Sequence, residues 1–153
     1  MPDHQFAGFN YRMTDIQGAI GITQMKKLSF ILQQRKKRAE IYNRAFRANP
    51  YLSIPFALKD CVHSYQSYVL RVKRQSPISR DSLAMKLIEQ GISVRPGTQS
   101  VPHLTYYRKK YGFKNSDFPH SFEAWNQTIT IPLFASMNVE EQDFIIKSIL
   151  KFL

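Results

Sequence analysis

Residues that could carry out chemistry are few in this sequence, and they lie far apart. The histidines, His4, His63, His103 and His120, lack the HExxH spacing that would hold a metal on one helix face. The chain also lacks the G-x-S-x-G turn of a serine nucleophile and the G-x-x-x-x-G-K-[ST] loop that cradles phosphates. Cys61 is the only cysteine, which excludes an intrachain disulfide and a cysteine-based metal cluster. These patterns predict no metal site and no nucleophilic catalytic residue.

Two basic clusters are candidates for contacting phosphates. The run RKKR at 35–38 occupies four consecutive positions of a predicted helix, so its charges point all round the helix and favour solvent. The run RKK at 108–110 lies beside three tyrosines, Tyr106, Tyr107 and Tyr111. Rings and cations together could stack on nucleic acid, face the phosphates of a nucleotide, or meet only solvent. We rank solvent first, a nucleotide second and nucleic acid a distant third.

Composition places the chain among folded globular proteins. It has 153 residues, of which 43% are hydrophobic, and that length allows one domain that buries about 68–70% of the surface of its unfolded chain. The formal net charge of +11 favours phosphate-bearing or acidic partners. There is no apolar run of ~20 residues and no basic, then apolar, leader at the N-terminus. We therefore expect a soluble, cytoplasmic protein that makes no membrane contact.

A long predicted helix follows the N-terminal arm and must position the residues of that arm. Residues 1–13 are an irregular arm, after which Thr14 and Gln17 match a capping box. Helical spacing continues to Asn49-Pro50, where the proline stops it. An unbroken helix over 14–49 would span ~52 Å, so we expect a bend near Leu28-Ser29.

The two halves of this predicted helix differ in their apolar pattern. The second half carries one stripe, formed by Leu28, Ile31, Leu32, Ala39, Tyr42 and Phe46. The first half is apolar on more than one side, because Ile22 and Met25 lie off the face that begins with Ile16 and Ile20. The rest of this chain can cover one side, so the other side requires another protein surface.

The remaining residues, 50–153, predict a small sheet with helices packed against it. Alternation of apolar residues predicts strands over 65–73, 92–95 and 128–131. Caps and helical spacing predict helices over 79–89, 104–111 and 119–127 and a last helix that begins at 137–140. We therefore predict an α+β fold, in which an antiparallel sheet of about three strands follows the long helix.

Several segments together resemble the C-terminal domain of the DegT/StrS-type sugar aminotransferases. The specific segments are GFNYRMTDIQGAIGITQMKKL at 8–28 and RPGTQSVPHLTYYRKKYGF at 95–113. HSYQSYVLRV at 63–72 and FPHSFEAWNQTITIPLF at 118–134 follow in the order that the family shows, and the resemblance covers nearly the whole chain. It implies the small domain of a type I aminotransferase, with the arm at 1–13 and the domain over 14–153.

The resemblance also implies a cofactor and a partner domain. Family members use pyridoxal phosphate to move an amino group from an amino acid to a nucleotide-linked keto sugar, and they work as homo-oligomers. Their large N-terminal domain carries the lysine that binds the cofactor, upstream of the segment that resembles Asn10-Tyr11-Arg12. No lysine precedes Asn10 in this chain. We therefore expect no catalytic residue here, no cofactor bound to the chain alone, and a dependence on the large domain that the family has.

Residue roles implied by the resemblance fall at two places. Asn10, with Arg12 beside it, would contact the cofactor phosphate in the neighbouring subunit, although both could merely cap the helix. Arg95, His103 and Tyr106 lie in the segment that approaches the nucleotide-sugar substrate. The two-sided first half of the helix would pack on the large domain and on the partner subunit, and would expose apolar surface without them.

Two other functions compete with an aminotransferase domain. A stand-alone basic interaction domain would bind nucleotide or nucleic acid through its excess of positive charge. A remnant would fold and bind nothing. The sequence does not identify the sugar, the ring position or the nucleotide.

Overall fold

The fold combines a long N-terminal helix with a small sheet that helices cover. The computed structural model describes residues 8–114 and 116–153, so residues 1–7 of the predicted arm lie outside the described residues. The described elements are α1 (Asp15–Phe46), β1 (Leu52–Ser53), β2 (Tyr68–Val72), α2 (Arg80–Glu89), β3 (Arg95–Pro96), a 3-10 turn (Val101–His103), α3 (Thr105–Tyr111), α4 (Pro119–Gln127), β4 (Thr128–Ile131) and α5 (Val139–Lys151).

Helix α1 begins at the predicted capping box. The Thr14 hydroxyl accepts from the Gln17 N–H at 3.3 Å, and the Gln17 side chain accepts from the Thr14 N–H at 3.0 Å. The helix is continuous through Leu28 and Ser29 and ends at Phe46 rather than Asn49. It ends early because the Asn49 side chain accepts from the Tyr51 N–H at 2.9 Å and turns the chain toward β1.

The sheet is antiparallel, as predicted, and its strand order is β1-β2-β4-β3. Strand β2 lies next to β4 in register, with Leu70 opposite Ile129, and both side chains are buried. The predicted strand over 65–73 is shorter in the structure because Tyr65 has φ 48°, which is left-handed and cannot continue a strand. The two-residue edge strand β1 was not predicted, since a pair of residues carries no periodicity.

Strand β3 is displaced from the predicted 92–95 to Arg95–Pro96. Gly91 at φ 79° ends α2, and the Ile92 N–H donates to the Leu87 carbonyl at 2.9 Å, so Ile92 belongs to the end of the helix. The side chain of Ile92 is buried in the core instead. A proline is compatible with β3 because that strand forms an edge of the sheet.

One apolar core joins the end of α1, the sheet, α2 and α5. Tyr42 and Phe46 are fully buried and stack at 5.8 Å, and the Tyr42 hydroxyl donates to the Pro132 carbonyl at 2.9 Å. Helix α5 is tied to α1 by Gln142, whose amide donates to the Arg38 carbonyl at 2.7 Å. The core therefore anchors α1 by its C-terminal third alone.

Candidate functional site

Asn10 and Arg12 lie in the non-helical segment directly before α1. The Asn10 side-chain oxygen accepts from the Arg12 N–H at 3.0 Å, and both residues are exposed. That bond leaves the Asn10 amide NH₂ and the Arg12 guanidinium available as donors. Thr14, not Asn10, caps the helix. A short, donor-rich turn suits the oxygens of a phosphate group.

Arg95 stands on the edge strand β3, opposite Thr130 of β4. Its side chain is exposed and lines a cleft of about 490 Å³ together with polar residues of the strand ends, among them Gln66 and Ser67. Gly97 lies immediately after this strand, where an added Cβ would stand 2.6 Å from both Thr128 Cβ and Val69 Cγ1. The absence of a side chain at Gly97 therefore lets the segment that carries Arg95 lie against the sheet.

His103 is placed differently from the other predicted substrate contacts, because only 9% of its surface is exposed. Its Nδ1 lies 2.6 Å from the Ser100 hydroxyl, which in turn lies 2.8 Å from the Ser121 hydroxyl on α4. The imidazole also packs on Phe122, with ring centroids 4.6 Å apart. The two serines were not predicted as part of this site. The spacing Ser100-x-x-His103 was the available signal, since residues three apart can meet across one turn of helix.

Tyr106 lies on the surface helix α3 and is 62% exposed. It begins a row of rings in contact, in which the centroid distances range from 5.1 to 6.3 Å; the row consists of Tyr106, Tyr107, Tyr111, Phe113 and Phe118. The Lys110 ammonium lies 5.5 Å from the Tyr106 ring and 5.4 Å from the Tyr111 ring. We call the five ring residues the aromatic row. Together with Lys110 the row presents ring faces and positive charge to solvent.

The other basic cluster, at 35–38, does not form a single surface. Arg38 turns toward α5, where its guanidinium donates to the Gln142 side chain at 3.4 Å, while Lys36 and Lys37 are exposed. The consecutive charges thus point in different directions around α1. This arrangement supports the solvated interpretation of the cluster.

The first half of α1 is uncovered on every side. Apart from the half-buried glycines Gly18 and Gly21, each residue from 15 to 30 is exposed, including Ile16 at 76% and Met25 at 66%. We call residues 15–30 the uncovered half of α1. The predicted exposure of apolar surface is confirmed, and it is larger than expected, since the residues that the structure describes cover neither side. Soluble proteins rarely leave so long an apolar face without a partner.

A covalent anchor for pyridoxal phosphate requires a sheltered lysine amine, which the described residues do not offer. Their lysines are exposed, except that Lys73 is half-buried and donates to the Pro50 carbonyl at 2.9 Å. The described residues also bring no three His, Cys, Asp or Glu side chains together as metal ligands. Among the same residues, no helix has the length and apolar character that a membrane crossing requires. The residues present thus fit the phosphate of the cofactor but not its covalent attachment.

Comparison with curated proteins identifies close relatives in sequence. The chain is 30% identical over 145 residues to the spore coat polysaccharide biosynthesis protein SpsC of Bacillus subtilis, covering 93% of this chain and 37% of SpsC. It is 31% identical over 147 residues to the protein MJ1066 of Methanocaldococcus jannaschii, covering 94% of this chain and 38% of that protein. The chain therefore spans less than two-fifths of the length of these relatives.

Comparison with solved structures identifies the same fold. Helicobacter pylori PseC, an aminotransferase involved in the biosynthesis of pseudoaminic acid, superposes with a TM-score of 0.86 at 24% identity, covering 98% of this chain and 40% of PseC. The putative sugar aminotransferase Spr1654 of Streptococcus pneumoniae, in its PLP-form, superposes with a TM-score of 0.81 at 29% identity, covering 92% of this chain and 37% of Spr1654. These structures confirm the α+β fold.

A family model matches nearly the whole chain. The model describes the DegT/DnrJ/EryC1/StrS aminotransferase family, and it matches residues 2–150. The match includes Asn10, Arg12, Arg95, His103 and Tyr106. The chain belongs to the DegT/DnrJ/EryC1/StrS aminotransferase family.

Proposed function

We propose that this chain is the smaller, C-terminal domain of a nucleotide-sugar aminotransferase and that it acts only together with a large domain. The observation that carries the proposal is the uncovered half of α1, which exposes apolar residues all round. The relatives SpsC and MJ1066 are more than twice as long as this chain, so they contain the mass that could cover such a helix. In this proposal the domain comprises 14–153 and the arm comprises 1–13.

Asn10 and Arg12 would hold the phosphate of pyridoxal phosphate in the neighbouring subunit of a homo-oligomer. Both are exposed donors at the tip of α1, well away from the core of their own chain. Pyridoxal phosphate, when bound, supplies the electron sink through which an amino group is exchanged. The contribution of these residues is to bind and orient the phosphate through charge-assisted hydrogen bonds.

Arg95 and Tyr106 would contact the nucleotide-linked keto sugar. Arg95 offers an exposed guanidinium at the mouth of a cleft, which suits a diphosphate. Tyr106 offers an exposed ring beside Lys110, which suits stacking on a base or sugar. His103 was predicted as a third contact, but it is nine-tenths buried, so little of its ring is open to a substrate.

Incubation with pyridoxal phosphate and borohydride tests whether this chain has its own reactive lysine. Mass spectrometry should find no stoichiometric adduct on a single lysine, because the lysines are exposed alike except Lys73, whose ammonium donates to the Pro50 carbonyl at 2.9 Å. Spr1654, which has a PLP-form, is the positive control. One specific adduct, together with turnover of an amino donor, would contradict the proposal that catalysis needs a second domain.

A chimera tests the proposed phosphate contact. The chain replaces the segment of SpsC that it matches, and the binding of pyridoxal phosphate is followed by its absorbance. Asn10→Ala should weaken the binding about tenfold, the loss expected for one charge-assisted hydrogen bond. Gln33→Ala, at an exposed polar position of α1 outside its uncovered half, is the matched control. Equal affinity in the Asn10 and Gln33 variants would remove Asn10 from the cofactor site.

The aromatic row supports a second candidate function, that of a basic interaction domain. Stacked rings beside Lys110 are the kind of surface that single-stranded nucleic acid binds. Salt-dependent affinity for an oligonucleotide, lost in a variant with Arg108→Ala and Lys109→Ala, would favour this function. Affinity that does not depend on these two residues would eliminate it.

A further inference from the structure

We infer that His103 is a positioning residue, which sets the place of α3 and, through it, of Tyr106. This inference rests on the proposed function only in that Tyr106 is taken as a substrate contact. His103 itself is nine-tenths buried, so little of its ring is available to a ligand. Among its neighbours are Ser100, which begins the 3-10 turn, and the rings of Phe122 and Trp125 on α4.

Helix α3 needs such a support because it has no buried residue of its own. Its seven residues follow the 3-10 turn after a single connecting residue, Leu104, so the orientation of the turn determines the direction of α3. At the other end, Phe113 and Phe118 meet edge to face at 5.1 Å. Side chains at the two ends of α3 therefore supply buried contacts that no residue of α3 supplies itself.

The side chains of Ser100 and His103 join the 3-10 turn to α4 by two kinds of contact. The His103 Nδ1 and the Ser100 hydroxyl are 2.6 Å apart, and the same hydroxyl oxygen is 2.8 Å from the Ser121 hydroxyl of α4. The His103 ring faces Phe122 and Trp125 of α4, with centroid distances of 4.6 and 6.3 Å. His103 thus packs on α4 directly through its ring and is linked to the Ser121 hydroxyl through Ser100.

Ser121, Ser100 and His103 can form two consecutive hydrogen bonds in which each hydroxyl donates to the next group. When the Ser100 hydroxyl donates to Nδ1, its oxygen remains free to accept from the Ser121 hydroxyl. Ser100 is fully buried, so a hydrogen bond lost there is costly. Removing the imidazole takes one hydrogen-bond partner from the Ser100 hydroxyl and removes the ring that packs on Phe122, and both effects free the turn.

Backbone order parameters from NMR relaxation test this role. His103→Ala should lower the order parameters of residues 105–111 from rigid values near ~0.85 to below ~0.6, while those of β2 and β4 stay rigid. His103→Asn keeps a polar atom close to the position of Nδ1 and should restore most of the order. His120→Ala, at an exposed position of α4, is the matched control and should change nothing.

A second variant keeps the test decisive if His103→Ala does not fold. Ser121→Ala removes only the outer hydroxyl and should loosen α3 by a smaller amount than His103→Ala. Unchanged order in α3 in both variants, or equal loosening of α3 and the sheet, would overturn the positioning role. Because the measurement needs neither cofactor nor substrate, its result is independent of whether the chain is part of an aminotransferase.

Discussion

At the scale of single residues, Gly97 matters because it has no side chain. The backbone of Gly97 donates to the Thr128 carbonyl at 3.0 Å, so the segment after β3 is held directly against β4. A methyl group there would overlap the side chains of Val69 and Thr128. The candidate substrate residue Arg95 stands two positions earlier, on β3, and its position depends on the close approach of Gly97 to β4.

Gly97→Ala should therefore destabilise the chain by about 1–3 kcal/mol, the usual cost of overpacking. Urea denaturation measures the change. Gly18→Ala is the matched control, because no atom lies within 4 Å of an added Cβ at that helical position. That control should be neutral or stabilise α1 by up to about 1 kcal/mol. Equal effects of the two substitutions would show that Gly97 has room for a side chain.

Two buried tyrosines give the stability of the core a dependence on pH. Burial raises the pKa of Tyr42 and Tyr68 well above the ordinary value of 10.0, and for Tyr68 the neighbouring Tyr65 and Tyr42 raise it further. Arg38 lowers the pKa of Tyr42 in part. Above pH 10 the folded chain therefore holds protons that the unfolded chain has lost, so the free energy of unfolding falls as the pH rises.

Tyr68→Phe should remove about half of this loss, because one of the two groups no longer ionises on unfolding. The variant should also lose about 1 kcal/mol at neutral pH, since the Tyr68 hydroxyl donates to the Asn43 side chain at 2.7 Å. Urea denaturation between pH 8 and pH 11, at about one-unit steps, follows both effects. Tyr106→Phe, at an exposed position, should keep the pH dependence of the natural chain; a flat profile in the natural chain would contradict the assignment.

At the scale of elements, α1 and α5 begin with the same device but differ in what it supports. Each has a capping box, from Thr14 to Gln17 in α1 and from Asn138 to Glu141 in α5. Helix α5 buries Ile145 and Ile149 in the core, whereas the first turns of α1 bury no residue. Loss of the cap should therefore lower the global stability in α5 and only the local stability of the first turns in α1.

Asn138→Ala should lower the free energy of unfolding by about 1 kcal/mol, as a lost cap does when its helix belongs to the core. Thr14→Ala should leave the urea midpoint almost unchanged and instead speed amide hydrogen exchange in the first turns of α1. Each variant serves as the control for the other. A midpoint shift in Thr14→Ala as large as that in Asn138→Ala would mean that the uncovered half of α1 is coupled to the core.

The sequence predicted the elements with strong local signals and missed those that depend on tertiary contacts. Thr14, Ser79 and Asn138 cap their helices by bonds within three residues, so their start positions could be derived from sequence alone. Strand β3 depends on pairing with β4, and its displacement follows from how α2 ends. The burial of His103 could not be predicted, because Ser121 lies eighteen positions further along the chain.

At the scale of the whole molecule, apolar surface and net charge oppose each other. The uncovered half of α1 favours association with another surface, while a formal net charge of +11 repels a second copy. Salt screens the repulsion and leaves the apolar contact intact. The balance predicts a chain whose tendency to associate rises with ionic strength.

Sedimentation velocity at low and high salt tests this prediction. The natural chain should associate more strongly at high salt, and Ile20→Glu should reduce the association because it places a charge on the apolar face. Gln33→Glu changes the net charge by the same amount at an exposed polar position of the same helix, outside the uncovered half of α1, and is the matched control. Monomers at all concentrations and both salt levels would show that this face does not associate.

Because α1 is one continuous helix, its length sets the distance between the core and Asn10. From Ala39, at the edge of the core, to Asp15 the helix measures ~36 Å, and Asn10 lies beyond its end. Deleting one residue between them would rotate the tip by about 100° and retract it by about 1.5 Å, whereas deleting seven would restore its bearing within about 20° but leave it about 10 Å short. Substitutions along this part of α1 should therefore be tolerated more readily than insertions or deletions, which change the position and direction of Asn10.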